Sequence, residues 1–98
     1  LYVIGEVYFR VTYPDAGLCF PIIESFVYLG KNISGDHLED TWYFQPASDY
    51  SWYGSALLGT GRPVVCCVQH ELAEMLDNEQ LRLMIASSAT RRRTKNSH

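Results

Sequence analysis

The feature that most constrains this chain is a pair of alternating runs between Tyr2 and Leu29, joined at Pro14-Asp15-Ala16-Gly17. In the first run Val3, Val7, Phe9, Val11 and Tyr13 fall on one face, with Gly5 among them. Tyr2, Ile4, Glu6, Tyr8, Arg10 and Thr12 fall on the other. A period of two carried by β-branched and aromatic residues reads as a strand. Pro14 presets φ for a turn, Asp15 can bond its own backbone and Gly17 accepts a positive φ, so the chain is expected to reverse there. The return run sets Cys19, Ile23, Val27 and Leu29 against Phe20, Ile22, Glu24, Phe26 and Tyr28. Pro21 has no N–H for a ladder, which places it at a sheet edge, a bulge or the first residues of its strand.

A turn at 14–17 makes facing positions sum to about 31, which brings Glu6, Arg10 and Glu24 within a few residues of one another across the ladder. A solvated cross-strand ion pair is preferred there to a functional cluster. The face carrying Tyr2, Ile4, Tyr8, Phe20, Ile22, Phe26 and Tyr28 is too apolar for an ordinary wet surface, so a helix or another molecule is expected to cover it.

After the hairpin, Gly30 to Asp40 is polar, aperiodic and reads as a loop. Its Asn32-Ile33-Ser34 matches a glycosylation acceptor pattern, taken here as chance. Thr41 to Gln45 is a third strand, stopped by Pro46, with Trp42 and Phe44 on one face and Tyr43 on the other. Ala47 to Gly54 allows a short helical turn capped by Ser48 or Asp49. Ala56 to Gly61 reads as an edge strand; its glycines lack the Lys-Ser/Thr of a phosphate loop. Pro63 to Gln69 is continuously apolar, as expected of a strand buried on both faces near the sheet centre. Leu72, Met75 and Leu76 then fall at helical spacing, and Asp77 with Gln80 can cap a second helix through Leu81, Met84 and Ile85, although Leu81, Leu83 and Ile85 also alternate as a strand would, so residues 80–86 are open between the two.

With 98 residues, 47% of them apolar, the chain is long enough for one self-sufficient core. The expected fold is α+β: an antiparallel sheet of four or five strands opened by the hairpin, with a C-terminal helical segment on one face. Residues 1–88 are expected to form the single domain and residues 89–98 a disordered basic tail. No apolar run approaches a bilayer span and no charged-then-apolar leader opens the chain, so a cytoplasmic location is expected. The chain opens at Leu1 rather than Met, which suggests a start that is processed, recoded or that of a fragment.

Three cysteines, two adjacent, do not form a disulfide framework, and reduced, mostly buried thiols are expected. Cys66-Cys67-Val68-Gln69-His70 could set a thiolate at Cys67 beside an imidazolium at His70, the one enzymatic alternative, but no motif supplies oxyanion donors. For zinc, Cys-Cys-x2-His plus a distant His37 lacks paired ligand spacing, because adjacent strand cysteines diverge. No cofactor and no metal are expected.

The net charge of −3 hides a split: Arg91, Arg92, Arg93 and Lys95 leave four bases against eleven acids, −7, in residues 1–90. Such a body repels phosphates, so nucleic acid is expected only through the basic tail. An acidic surface bearing Tyr and Trp suits a protein partner, and a basic one above all. The expected function is noncatalytic protein binding, of inhibitory, immunity or regulatory type. The contact surface is expected to comprise His37, Glu39, Asp40, Tyr43, Asp49, Tyr50, Trp52 and Tyr53, whose rings bring area and a polar handle. The bland alternative is that these aromatics close the end of a small core. A homo-oligomer built through an exposed edge strand is a third reading.

Overall fold

The computed structural model describes residues 1–35, 38–59 and 61–96. The chain folds as α+β, with a four-stranded antiparallel sheet in the order β1-β2-β3-β4. The strands are β1 (Val7–Thr12), β2 (Ile22–Lys31), β3 (Thr41–Pro46) and β4 (Val65–Val68). Two α-helices follow β3 and β4: α1 (Ala47–Tyr53) directly, and α2 (Asn78–Asn96) after a 3-10 segment, Gln69–Glu74.

The hairpin forms, with a longer connection than the sequence suggests. Facing residues of β1 and β2 sum to 34, as in Tyr8 with Phe26 and Arg10 with Glu24. The connection is held by Asp15, whose carboxylate accepts from Cys19 N at 2.9 Å and Phe20 N at 3.0 Å. Gly17 does not take the left-handed conformation expected of it; Leu18 does, at φ 56°. The even sum matters because it puts even-numbered residues of both strands on one face, whereas an odd sum would part them. Arg10 and Glu24 thus stand directly opposite, 3.2 Å apart.

The core lies on that even face. Tyr8, Phe26, Tyr28, Phe44, Cys67 and Met75 are buried together, with Tyr2, Trp42, Val65 and Leu72 packed around them. The rings meet edge-on, Tyr2 with Tyr8 at 4.7 Å and Tyr2 with Phe44 at 5.6 Å between centroids. The Tyr2 hydroxyl reaches the carbonyls of Leu72 and Met75, each at 2.9 Å, so it ties the N-terminus to the 3-10 segment. On the opposite face Val27, Leu29, Tyr43 and Gln45 are also buried. Chain folds over β2 and β3 from both sides, with α1 in contact with both strands. Part of the hairpin stays exposed, namely Ile4, Phe20 and Ile22.

Three expectations are corrected. Pro63–Gln69 does not run through the sheet centre: β4 is an edge strand in which only Cys67 is buried, because β2 and β3 take the doubly covered positions. Ala56–Gly61 is not a strand; Ala56–Leu58 makes one 3-10 turn, with Gly59 at φ 76° directly after it. α1 has no side-chain cap from Ser48 or Asp49, and Pro46 occupies the cap position. The C-terminal segment covers the core face as expected, the 3-10 segment and Met75 directly and α2 through its contacts with β1 and the hairpin connection.

The tail expected to be disordered from residue 89 instead continues α2 to Asn96. Its arginines are engaged: Arg91 Nε donates to the Leu18 carbonyl and Arg92 to that of Cys19 at 2.7 Å. Ser88, fully buried, meets the Tyr13 hydroxyl at 2.8 Å. Basic side chains in a helix's last turn also suit its dipole. The start of α2 follows the sequence closely, as Asp77 and Gln80 exchange bonds of 2.8 and 2.9 Å in a capping box.

Candidate functional site

The segment from α1 to β4 is organised by one buried polar side chain. β3 ends at Pro46, which leaves Gln45 facing inward with no exposed surface. Its amide nitrogen donates to Asp49 Oδ2 at 2.8 Å and to the Gly54 carbonyl at 3.0 Å, and its oxygen accepts from Ala56 N at 2.8 Å. One side chain therefore fixes the middle of α1, its end and the start of the following 3-10 turn. Gly54, at φ 76°, makes the turn out of α1 that an L side chain would resist.

Asp49 carries the arrangement further. Its other oxygen accepts from Arg62 Nε at 2.7 Å, and the Arg62 guanidinium lies 4.1 Å above the Tyr53 ring. The Arg62 hydrogen bond, and that from Gln45, hold the Asp49 carboxyl below its ordinary pKa against the opposing effect of burial. The loop returning to β4 is thereby clamped to α1.

The clamp turns apolar residues outward. Trp52 is 82% exposed, Tyr53 57%, Leu57 49% and Leu58 80%. Four large apolar side chains within seven residues, on a frame pinned by a buried network, differ from singly scattered surface residues. Pinning also matters energetically, because a rigid surface loses less conformational entropy on association.

The eight residues expected to form a contact surface separate into different places. Trp52 and Tyr53 are exposed on α1, and Tyr50 is half-buried there. Asp49 is part of the clamp. Tyr43 is buried, with its hydroxyl 2.9 Å from Ser34 Oγ. Glu39 and Asp40 lie at the far end of β3, about 17–20 Å away at the rise of an extended strand. Asp40 pairs with Lys31 at 3.1 Å and accepts from Asn32 at 3.0 Å, and both contacts lower its carboxyl pKa, the Asn32 bond foremost. His37 lies outside the described residues. The acidic charges nearest the aromatics are thus paired within the chain, and what faces outward is apolar.

Gln45, Leu57, Leu58 and Arg62 were not singled out by the sequence reading. A glutamine between Phe44 and Pro46 in an inward-facing position is the one signal that could have marked the hub. Asn32, in the acceptor pattern, uses both ends of its amide to close the loop, accepting from Thr41 N at 2.8 Å.

The enzymatic alternative gains nothing from the geometry. Cys67 sits in the core, and burial pushes its thiol above the ordinary value, with the Glu71 carboxylate adding to the shift. A thiolate nucleophile needs the opposite environment. His70 is exposed on the 3-10 segment. Among the described residues no group of His, Cys, Asp or Glu is arranged to hold a metal ion, and no helix is long and apolar enough to cross a membrane.

Comparison of the chain with protein-family profiles, with curated proteins and with solved structures finds no match, so the functional reading rests on the geometry just described.

Proposed function

We infer that this chain is a noncatalytic protein-binding module whose contact surface is the clamped segment from α1 to the 3-10 turn, with Trp52 and Leu58 as its anchors. The observation that carries the reading is the outward display of Trp52, Tyr53, Leu57 and Leu58 on a frame fixed by Gln45 and Asp49. Aromatic anchors with aliphatic neighbours are what interface centres are made of. The partner offers an apolar groove. It is basic at longer range, because the net charge of −3 on the whole chain favours a positive approach. Three free thiols suit a reducing, cytoplasmic setting.

The test is affinity capture with the wild type and with Trp52→Ala and Leu58→Ala, alone and together. Both side chains are exposed, so each variant should keep its stability within about 0.5 kcal/mol. The wild type should retain a partner that the double variant loses. An identical set of captured proteins from correctly folded double variant would end this reading.

A further inference from the structure

The bases at the end of α2 are gathered at one place in the fold. Arg91 Nε donates to the Leu18 carbonyl, Arg92 donates to the Cys19 carbonyl at 2.7 Å, and the Lys95 ammonium lies 6.0 Å from the centre of the Phe20 ring. The last turns of the helix therefore lie along the hairpin connection, and an open groove of about 390 Å³ separates them, with Arg91 and Lys95 on its helix side.

Their charge is not spent inside the chain. Arg91 and Arg92 donate to neutral carbonyl and hydroxyl oxygens, and Arg93 donates to the Thr90 hydroxyl at 3.3 Å. The other bases of the chain, Arg10, Lys31, Arg62 and Arg82, are each paired with a carboxylate. Among the described residues Arg91, Arg92, Arg93 and Lys95 have no such pair. Asp15 is the only acid in residues 13–21 and 87–96, and its carboxylate already accepts from the Cys19 and Phe20 N–H groups. Four bases against one acid give this part +3, which leaves −6 for the rest of a chain of net charge −3.

Apolar side chains stand outward in the same place. Leu18 is 46% exposed and Phe20 52%, with Ile22 close behind at 51%. Leu18 takes the left-handed conformation, at φ 56°, which a bulky residue seldom adopts, and its side chain is left in water while its carbonyl meets Arg91.

We propose that the hairpin connection and the last turns of α2 form a docking surface for an anionic lipid bilayer, with Leu18 and Phe20 entering the interfacial layer and Arg93 and Lys95, backed by Arg91 and Arg92, facing the lipid phosphates. Unpaired bases beside exposed apolar side chains match both layers of such a surface, the headgroups and the acyl chains. A single-stranded nucleic acid offers the same phosphates, but it is held by base stacking on several aromatic faces. This patch has one ring, shared with Lys95, and the aliphatic Leu18 has nothing to stack on. A surface contact needs no spanning helix, and among the described residues none is present. The acidic remainder opposes it little, because exposed charges beyond about 8 Å are screened at physiological ionic strength and the molecule measures 55 Å along its longest axis. The surface is distinct from the one on α1, and the inference stands without it.

Vesicle flotation tests this. The wild type should float with vesicles of phosphatidylcholine mixed with phosphatidylserine and stay behind with phosphatidylcholine alone, and added salt should release it. Each base near such a surface contributes about fivefold to partitioning, so Arg93→Gln with Lys95→Gln should bind at least tenfold more weakly. Neither side chain anchors α2, and circular dichroism should stay that of the wild type. Phe20→Ala, at another exposed position, should weaken binding severalfold with all four bases in place. Trp52→Ala should float as the wild type does, which separates this proposal from partner capture by α1. Absence of binding to the mixed vesicles, equal binding to both kinds, a Phe20→Ala or double variant that floats like the wild type, loss of binding with Trp52→Ala, or release from the mixed vesicles by a single-stranded oligonucleotide would each overturn it.

Discussion

Replacing Gln45 by methionine tests whether one amide holds the α1 segment in place. Methionine nearly matches glutamine in length and volume, so the change removes hydrogen bonds while leaving little cavity. Three bonds disappear: those to Asp49, to the Gly54 carbonyl and from Ala56 N. Asp49 keeps Arg62 and is left out of the sum. The Gly54 carbonyl and the Ala56 N–H lose their partner, and a buried group left unsatisfied costs about 1–3 kcal/mol. Both residues are half-buried, which places each in the lower half of that range and the pair at about 2–4 kcal/mol. For a domain of this size that lowers Tm by roughly 10–30 °C. Urea unfolding gives the global figure, and hydrogen exchange at the Ala56 amide tells local undocking from global unfolding. Local undocking would show as fast exchange at Ala56 with a smaller change in the urea midpoint. A variant within about 0.5 kcal/mol of the wild type, the band of ordinary surface changes, with Ala56 still protected, would refute the role given to Gln45.

The Asp49 clamp predicts a pH dependence of definite sign. Its folded carboxyl lies below the ordinary value of 3.8. The stability it contributes is therefore complete above the unfolded value and lost as pH falls through the lower folded one. Wild type should outlast Asp49→Asn in urea from neutral pH down to about pH 4 and converge with it in stronger acid; a gap that does not narrow there would contradict the assignment. Arg91→Ala with Arg92→Ala removes the hold of α2 on Leu18 and Cys19, and its last turns should fray, with loss of about half the helical signal of α2. Unchanged ellipticity would mean that α2 stands without that anchor. Thiol labelling of the native protein at neutral pH should modify Cys66 alone, with Cys19 and Cys67 reacting after denaturation. Rapid native labelling of Cys67 would revive the catalytic alternative.

Local signals were the ones that could be read. The alternation of Val7 to Thr12 and of Ile22 to Leu29, the stop at Pro46 and the Asp77–Gln80 box each depend on neighbouring residues, and each appears where the sequence puts it. Positions that depend on distant chain could not be read in the same way. The run from Val65 to Val68 is as apolar at an edge as it would be at a centre, and only pairing with β3 decides between them. The hairpin register depends on Asp15 gathering Cys19 and Phe20, which lengthens the connection beyond a tight turn. The basic residues from Arg91 onward look solvated until the Leu18 and Cys19 carbonyls come within their reach. The candidate surface was legible as a cluster of aromatics. Its division into buried Tyr43, half-buried Tyr50 and outward Trp52 and Tyr53 came from Gln45, whose partners lie up to eleven residues away.

The two backbone bonds between Phe9 and Leu76 bear on how the chain is made. These residues lie 67 positions apart, so on the ribosome Phe9 emerges long before the residue that bonds its outward amide and carbonyl exists. Until Leu76 is synthesised, Phe9 offers its outward amide and carbonyl to any passing strand.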